Sequence, residues 1–523
     1  MSGTLIRGGR ICDGTGRPMF QADLRIRGDR IAEIGPHLTV GDCRIVNADG
    51  LTVAPGFVDV HAHSDLSLLA APEALGKISQ GITSEISGNC GLSAFPVLTE
   101  EVRRHLNTIY RTYGVEITWS DFQSYAETLE HRRPAINAGF LCGHNTLRAC
   151  ILGYGEQRGT ETDWNAMRQL LHHMLEQGAL GFSTGLLYIP GRFAVPEELL
   201  TVAGALKEFQ RPYATHLRSE GDGLLESIEE ALAIARAGSG HLHISHLKTA
   251  QPRNWRKLDA VFDRLESARR EGLLVTGDRY PYTWSQTSLS VILPPPYDKM
   301  TDAAIRERLR GNEEAVGKLV KELELTPPAW GRILLCSTGV RTVQRVLGKS
   351  MEEAAQILGT TPAALCVELM RQDAPGTMAA FSGMSETNLQ RILQREEICC
   401  GTDETARPQG YEFGRSHPRG FGSFPRFIGL VRESFSLEEA IRKVSGLPAE
   451  VFHLRDRGRI VAGGYADLVL FDPERLKDRA DFVTPHALCS GIDQVYVNGV
   501  LSYEKGEVRN RAGKILHCRP IHL

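Results

Sequence analysis

The chain has 523 residues, 42% of them hydrophobic, with 60 basic against 63 acidic side chains and a formal net charge of −3. That is enough apolar material for a large globular core, and it leaves no global basic field to draw in nucleic acid. Eleven irregularly spaced cysteines with no CxxC pair exclude a disulfide scaffold and a zinc ribbon. No apolar run reaches the ~18 residues of a membrane span, and residues 1–14 show no secretory h-region, so a reducing cytoplasm is the expected compartment.

Residues 1–54 read as short strands with Gly-rich turns, at 5–11, 22–26 and 30–34, the last two joined through Arg27-Gly28-Asp29 as a hairpin loop. After Pro55 the texture changes to short apolar strands alternating with helical periodicity, the pattern of a parallel sheet built from βα units. Inner strands are expected at 56–62, 81–87, 135–142, 178–183, 213–217, 242–247, 273–277 and 397–401, with helices at 162–176, 196–209 and 224–237 among those between them. Eight strands with intervening helices predict an α/β fold of the (β/α)8, TIM-like type over 55–454, carrying an insertion at about 283–332 that includes Pro294-Pro295-Pro296. Short strands return at 458–460, 466–471 and 494–500. The two β-rich ends, 1–54 and 455–523, are expected to pair into a small sandwich.

Asp59-Val60-His61-Ala62-His63 ends the first inner strand. Alternate side chains share a strand face, so His61 and His63 point the same way, toward the end of the sheet where such folds keep their sites. His216, His246 and Asp403 end the fifth, sixth and eighth strands. Singly, each His reads as a core or surface residue and the Asp as a helix cap; jointly, they converge on one face and suit a divalent metal. Two other motifs compete. Gly181-Phe182-Ser183-Thr184-Gly185 fits the G-x-S-x-G elbow of serine hydrolases, but Leu186 to Gly191 continues as a loop where the elbow needs a helix. Gly348-Lys349-Ser350 resembles the end of a P-loop, but Val343 stands where its first glycine belongs.

Further segments carry a resemblance. Val53 to His63 is similar to the strand-one motif of the amidohydrolase superfamily, and Gly464 to Asp472 to its C-terminal strand. Within it, Gln80-Gly81-Ile82-Thr83-Ser84 with Gly88-Asn89-Cys90-Gly91-Leu92, then Gly143 to Arg148, Ser183 to Tyr188, Tyr280-Pro281-Tyr282 and His417 to Arg426 resemble the D-aminoacylases, the N-acyl-D-amino-acid deacylases. The resemblance implies zinc-dependent hydrolysis of N-acyl-D-amino acids to a carboxylate and a free D-amino acid. It implies one tight zinc on Cys90, His216 and His246, and a second, weaker position on His61, His63, Asp403 and shared Cys90. It implies Asp403 as general base, and Arg419 with Tyr280 as holders of the substrate α-carboxylate.

Lys248, two residues after His246 and so on the same strand face, suggests a preference for acidic side chains, D-Glu or D-Asp, with Arg218 as a second cation. The chain departs from the family at Trp284 and Gln286, where Y-P-Y-x-A-G-S-T is usual. A cyclic-amide hydrolase or a deaminase would use the same metal residues and stays as the alternative; a serine hydrolase and a non-enzymatic scaffold are further ones. A small-molecule substrate is the expected partner, with neither nucleic acid nor membrane.

Overall fold

The structure, a computed structural model, describes residues 3–517, so 1–2 and 518–523 of the two expected end segments lie outside the described residues. The fold is mixed α/β. Thr4–Ile11, Phe20–Arg27 and Arg30–Gly35 form an antiparallel meander, and Gly28 supplies the positive φ that the tight turn before Arg30 requires. Thr52–Pro55 lies parallel to the first strand and antiparallel to Leu468–Phe471 from the other end of the chain. Both ends thereby join one nine-stranded sheet. Two expected strands differ. Residues 458–460 make a single backbone bond, Ile460 N to Asp13 O, in place of a strand. The strand expected at 494–500 is a hairpin, Ile492–Val497 with Val500–Glu504, turning at Asn498 and Gly499, both at positive φ.

The inner strands are short and almost wholly buried, as their unbroken apolar runs require. Phe57–Asp59, Ile82–Ser87 and Asn137–Phe140 pair in parallel. Cys142–Gly143, Phe182–Gly185, Tyr213–His216, His241–Ile244, Leu274–Arg279 and Ile398–Cys400 form a second all-parallel sheet. Only Leu141 separates the two sheets in sequence, and the last strand returns to the first through a parallel bridge between Ala62 and Glu404. Helix Glu161–Gln177 starts with a capping box between Thr160 and Asp163 and stops at Gly178. The helix expected over 196–209 is two pieces, Pro196–Ala203 and Leu206–Phe209, separated at Gly204, the poorest helix former after the first-turn proline.

The insertion continues past the expected end at 332. Trp284–Ser288 and Ile333–Ser337 each pair antiparallel with Met378–Ser382 between them, and a separate hydrophobic cluster runs from Leu289 to Ala379. The central strand of that sheet comes last in sequence, a long-range pairing that local periodicity does not reveal. Among the described residues, no helix is long and apolar enough to cross a membrane.

Asp467 fastens the terminal sheet to the inner strands. Its carboxylate accepts from Asn498 N at 2.7 Å and Asn137 Nδ2 at 3.2 Å and pairs with buried Arg457. Asp467→Ala is therefore expected to cost roughly 3–5 kcal/mol in urea unfolding, because Arg457 loses its carboxylate while buried. Asp42→Ala, which breaks an exposed pair with Arg27, is expected to leave the unfolding midpoint in place.

Candidate metal centre

The segment Gly88-Asn89-Cys90-Gly91 follows the strand Ile82–Ser87 and turns sharply. Cys90 has φ +54, and its flanking glycines are also at positive φ. A Cβ on Gly88 would stand 2.1 Å from Leu141 O, and one on Gly91 2.4 Å from Asn145 Oδ1, so both positions demand glycine. The turn is held by Asn89 Nδ2, which donates to Ile86 O at 2.9 Å, and by Ser183 Oγ, which accepts from Gly91 N at 3.1 Å and donates to Gly88 O. Ser183 is thus a fastening for the Cys90 turn, which is the role its hydroxyl plays in place of a nucleophile's. Ser350 of the P-loop-like stretch caps the helix Met351–Leu358.

The Cys90 thiol stands among three imidazoles. Its Sγ is 3.3 Å from His61 Nε2, 3.7 Å from His216 Nδ1 and 3.7 Å from His246 Nε2. Asp403 adds a carboxylate, 3.3 Å from His61 Nε2 and 3.0 Å from His63 Nε2. The structure therefore brings together all six residues expected to bind metal. His246 and Asp403, like Cys90, have left-handed backbones, with φ +39 and +51. Such a conformation costs an L-residue roughly 1–2 kcal/mol, and its recurrence at three strand ends turns three side chains back over one point.

Carboxylates stand behind the imidazoles. Asp278 Oδ2 lies 3.0 Å from His61 Nδ1 and 3.1 Å from His243 Nε2, and Oδ1 accepts from His246 N at 3.0 Å. Glu220 lies 3.0 Å from His246 Nδ1 and 3.9 Å from His216 Nε2. A carboxylate behind the ring is the arrangement that orients metal-binding histidines, and His61 has it directly; His246 Nδ1 is shared between Glu220 and Lys248 Nζ, 2.7 Å away, and His216 Nε2 makes no hydrogen bond among the described residues. Burial alone would raise the Cys90 thiol, but the charge of His61 and hydrogen bonds from His216 and His246 hold it well below the usual thiol range. A thiolate with imidazoles is a donor set that zinc favours, and tetrahedral zinc spaces sulfur and nitrogen ligands by about 3.5 Å, close to the separations around Cys90. The residues present fit zinc.

A buried ammonium fixes the first and last inner strands against each other. Lys77 Nζ donates to Asp59 Oδ2 at 2.7 Å, Thr402 Oγ1 at 2.8 Å and Glu404 O at 2.9 Å. Asp59 in turn accepts from His61 N and Thr402 N, while Asp403 N donates to His61 O at 2.7 Å. Asp403 is pinned on both sides of its strained backbone. Sequence reasoning missed Asp59, Lys77, Glu220 and Asp278. Asp59 and Glu220 stood two residues before and four after a candidate histidine, but nothing local pointed to Lys77 or Asp278.

The three expected substrate-binding residues gather on Tyr280. The guanidinium of Arg419 lies 4.7 Å and Lys248 Nζ 6.0 Å from its ring centre, and Arg419 Nη1 is 2.8 Å from Asp403 Oδ2. Burial raises the Tyr280 phenol, yet Lys248, Arg279 and Arg419 together outweigh it and lower it. Lys248 is buried and already paired with Glu220. Arg218 is not with them: it turns to Glu230 on the helix Leu224–Ala237, 2.9 Å away, because past His216 the chain leaves the strand and alternation no longer holds. Trp284 packs on Phe482.

The sequence pattern of the amidohydrolase family matches residues 44–315 and 350–503. An N-acyl-D-glutamate deacylase of Alcaligenes xylosoxydans xylosoxydans is 34% identical over 516 residues, 98% of this chain and 96% of that one. A D-aminoacylase of the same organism is 32% identical over 98% of this chain and 97% of its own. Among solved structures, an N-acyl-D-glutamate deacylase from Bordetella bronchiseptica, complexed with zinc and a phosphonate mimic of the reaction's tetrahedral intermediate, superposes with a TM-score of 0.83 at 33% identity, covering 98% of this chain and 99% of that one.

Cys90→Ala and His216→Ala are each expected to purify without tightly bound zinc, whereas Ser183→Ala is expected to keep it. Elemental analysis after exhaustive dialysis checks this, and a full zinc complement in either of the first two variants would remove that residue from the metal set.

Proposed function

The chain belongs to the amidohydrolase family, and on that footing we propose that it is a zinc-dependent deacylase converting N-acyl-D-amino acids to a carboxylate and a free D-amino acid, with a preference for D-Glu or D-Asp. The observation that carries this reading is the reach of Arg419, which stands at once on Asp403 and on Tyr280. A carboxylate anchor thus lies directly beside a candidate base. The parallel pairings and the Ala62–Glu404 bridge support a closed (β/α)8 barrel over about 55–454, with 1–54 and 455–523 as a small β-sandwich. The ten described cysteines are all free, which supports a cytoplasmic enzyme with a small-molecule substrate and neither a nucleic-acid nor a membrane partner.

Cys90, His216 and His246 would hold the tight zinc, and His61, His63 and Asp403 with Cys90 a second, weaker position. Bound there, zinc supplies a Lewis acid that acidifies water and stabilises the oxyanion of an attacked amide. The remaining work falls to the chain's own groups. Arg419 and the Tyr280 hydroxyl take the substrate α-carboxylate, for which a guanidinium fork is suited. Lys248, near the same ring, supports the acidic preference. Asp403 takes the proton of the attacking water and returns it to the leaving amine nitrogen. Burial would raise the Asp403 carboxyl, but Arg419 and His61 hold it well below the usual range. With the carboxylate on Arg419 and the amide over Cys90, one direction is left for the side chain, which sets the stereochemistry.

Two measurements test this. Asp403→Asn is expected to lower kcat by about 10²-fold or more while the tight zinc stays, since the amide is nearly isosteric but cannot accept the proton; near-normal turnover would show that Asp403 is not the base. Chelated enzyme given zinc and racemic N-acetylglutamate is expected to release only the D-amino acid, read by chiral chromatography, and equal release of both enantiomers would reject the anchoring of the carboxylate.

A further inference from the structure

Arg279 ends the inner strand Leu274–Arg279, one residue before Tyr280, and is 1% exposed. A guanidinium cannot shed its proton to escape burial, so a buried one is ordinarily met by a carboxylate. Arg279 is not. Among the described residues its Nε and Nη1 have no hydrogen-bond partner. Its remaining nitrogen, Nη2, donates to Tyr282 O at 2.7 Å and faces Met384 Sδ at 3.0 Å, and its guanidinium lies 4.1 Å from the centre of the Tyr280 ring. The neighbouring cations each have a carboxylate, Lys248 that of Glu220 and Arg419 that of Asp403, although Arg419 Nε and Nη1, like those of Arg279, make no hydrogen bond among the described residues. One positive charge beside the carboxylate anchor is therefore in surplus.

We infer that Arg279 binds a second carboxylate of the substrate, the one on the side chain of an acidic N-acyl-D-amino acid. The inference rests on the deacylase reading and adds to it the residue that selects the substrate class. Arg279 and Arg419 both lie against Tyr280, so their guanidiniums are no further apart than the sum of their distances to that ring, a span that the two carboxylates of one short dicarboxylic amino acid bridge. An apolar side chain in the same place would leave the Arg279 charge buried and unmet, which disfavours N-acyl-D-leucine. Arg279 also touches Tyr282 and Met384, where the insertion joins the strand, so the test must separate selectivity from support of that junction.

The test is kcat/KM for N-acetyl-D-Glu and N-acetyl-D-Leu with the zinc-loaded full chain as wild type, Arg279→Met and Arg279→Lys. Wild type is expected to prefer the glutamate substrate. Arg279→Met is expected to lower the Glu-to-Leu ratio by about 10²-fold, mostly through KM, and Arg279→Lys to keep part of the preference. A wild type that prefers leucine, or a ratio unchanged in Arg279→Met, overturns the assignment; loss of junction support would lower both rates together and leave the ratio where it was. Glutarate, which has both carboxylates and no amide, supplies a readout independent of turnover. Calorimetry is expected to show that wild type binds it and that Arg279→Met does not, and a wild type blind to glutarate overturns the role of Arg279. Absence of turnover on both amides with glutarate binding intact sinks the deacylase reading instead.

Discussion

A buried cysteine sulfur among three imidazoles is the arrangement on which the rest of the site depends. Ionic and polar groups at this density are stable away from water only if each has a partner. The surroundings of Cys90 meet that demand in layers: imidazoles around the sulfur, Asp278 and Glu220 behind the imidazoles, and Lys248 behind Glu220. Removing an outer member leaves a charge unpaired and frees a histidine to choose the wrong tautomer. The geometry around the sulfur is therefore a property of the whole network.

The same demand explains how the first and last inner strands are joined. The first and last inner strands share few ladder bonds, and Ala62 with Glu404 is an isolated bridge. Lys77, Asp59 and Thr402 do the joining with charge-assisted hydrogen bonds, which are shorter and stronger than neutral ones. Their position is economical in space, because the same contacts also fix His61, His63 and Asp403. Burial pushes the Glu85 carboxyl up to about 7 despite the charge of Lys77, so this ammonium is shared among more acceptors than it can fully satisfy.

Left-handed backbone at Cys90, His246 and Asp403 shows where folding energy is given up for function. Each residue stands where a strand ends, and an ordinary extended conformation would leave its side chain standing out to one face of the sheet. The surrounding hydrogen bonds, from Ser183 and Asn89 at Cys90, Asp278 at His246 and His61 at Asp403, hold the strain in place. Arg279 is a different case: among the described residues its Nε and Nη1 have no hydrogen-bond partner, and the carboxylate for it is assigned to the substrate.

The sequence by itself determined the chemistry on offer and the alternation of elements. His61 and His63 two apart, single histidines closing two later strands and an aspartate closing the last were all legible, because strand periodicity is a local property; Cys90 was legible only through the resemblance of its Gly88 to Leu92 segment. The parallel strands and the β character of both ends were legible through the same periodicity, whereas the joining of the two ends in one sheet is a pairing of distant strands. What only the tertiary structure decided were relations between distant residues of ordinary type. Lys77 lies on a short helix and Asp278 within a strand, and neither carries a mark in sequence that separates it from a solvated charge. Arg218 has the same spacing to His216 as Lys248 to His246, yet it turns to Glu230 while Lys248 turns to Glu220. The insertion's true extent was hidden because its central strand arrives last. In each case the deciding quantity was the partner of a buried charge or of a strand edge, and partners are chosen in three dimensions.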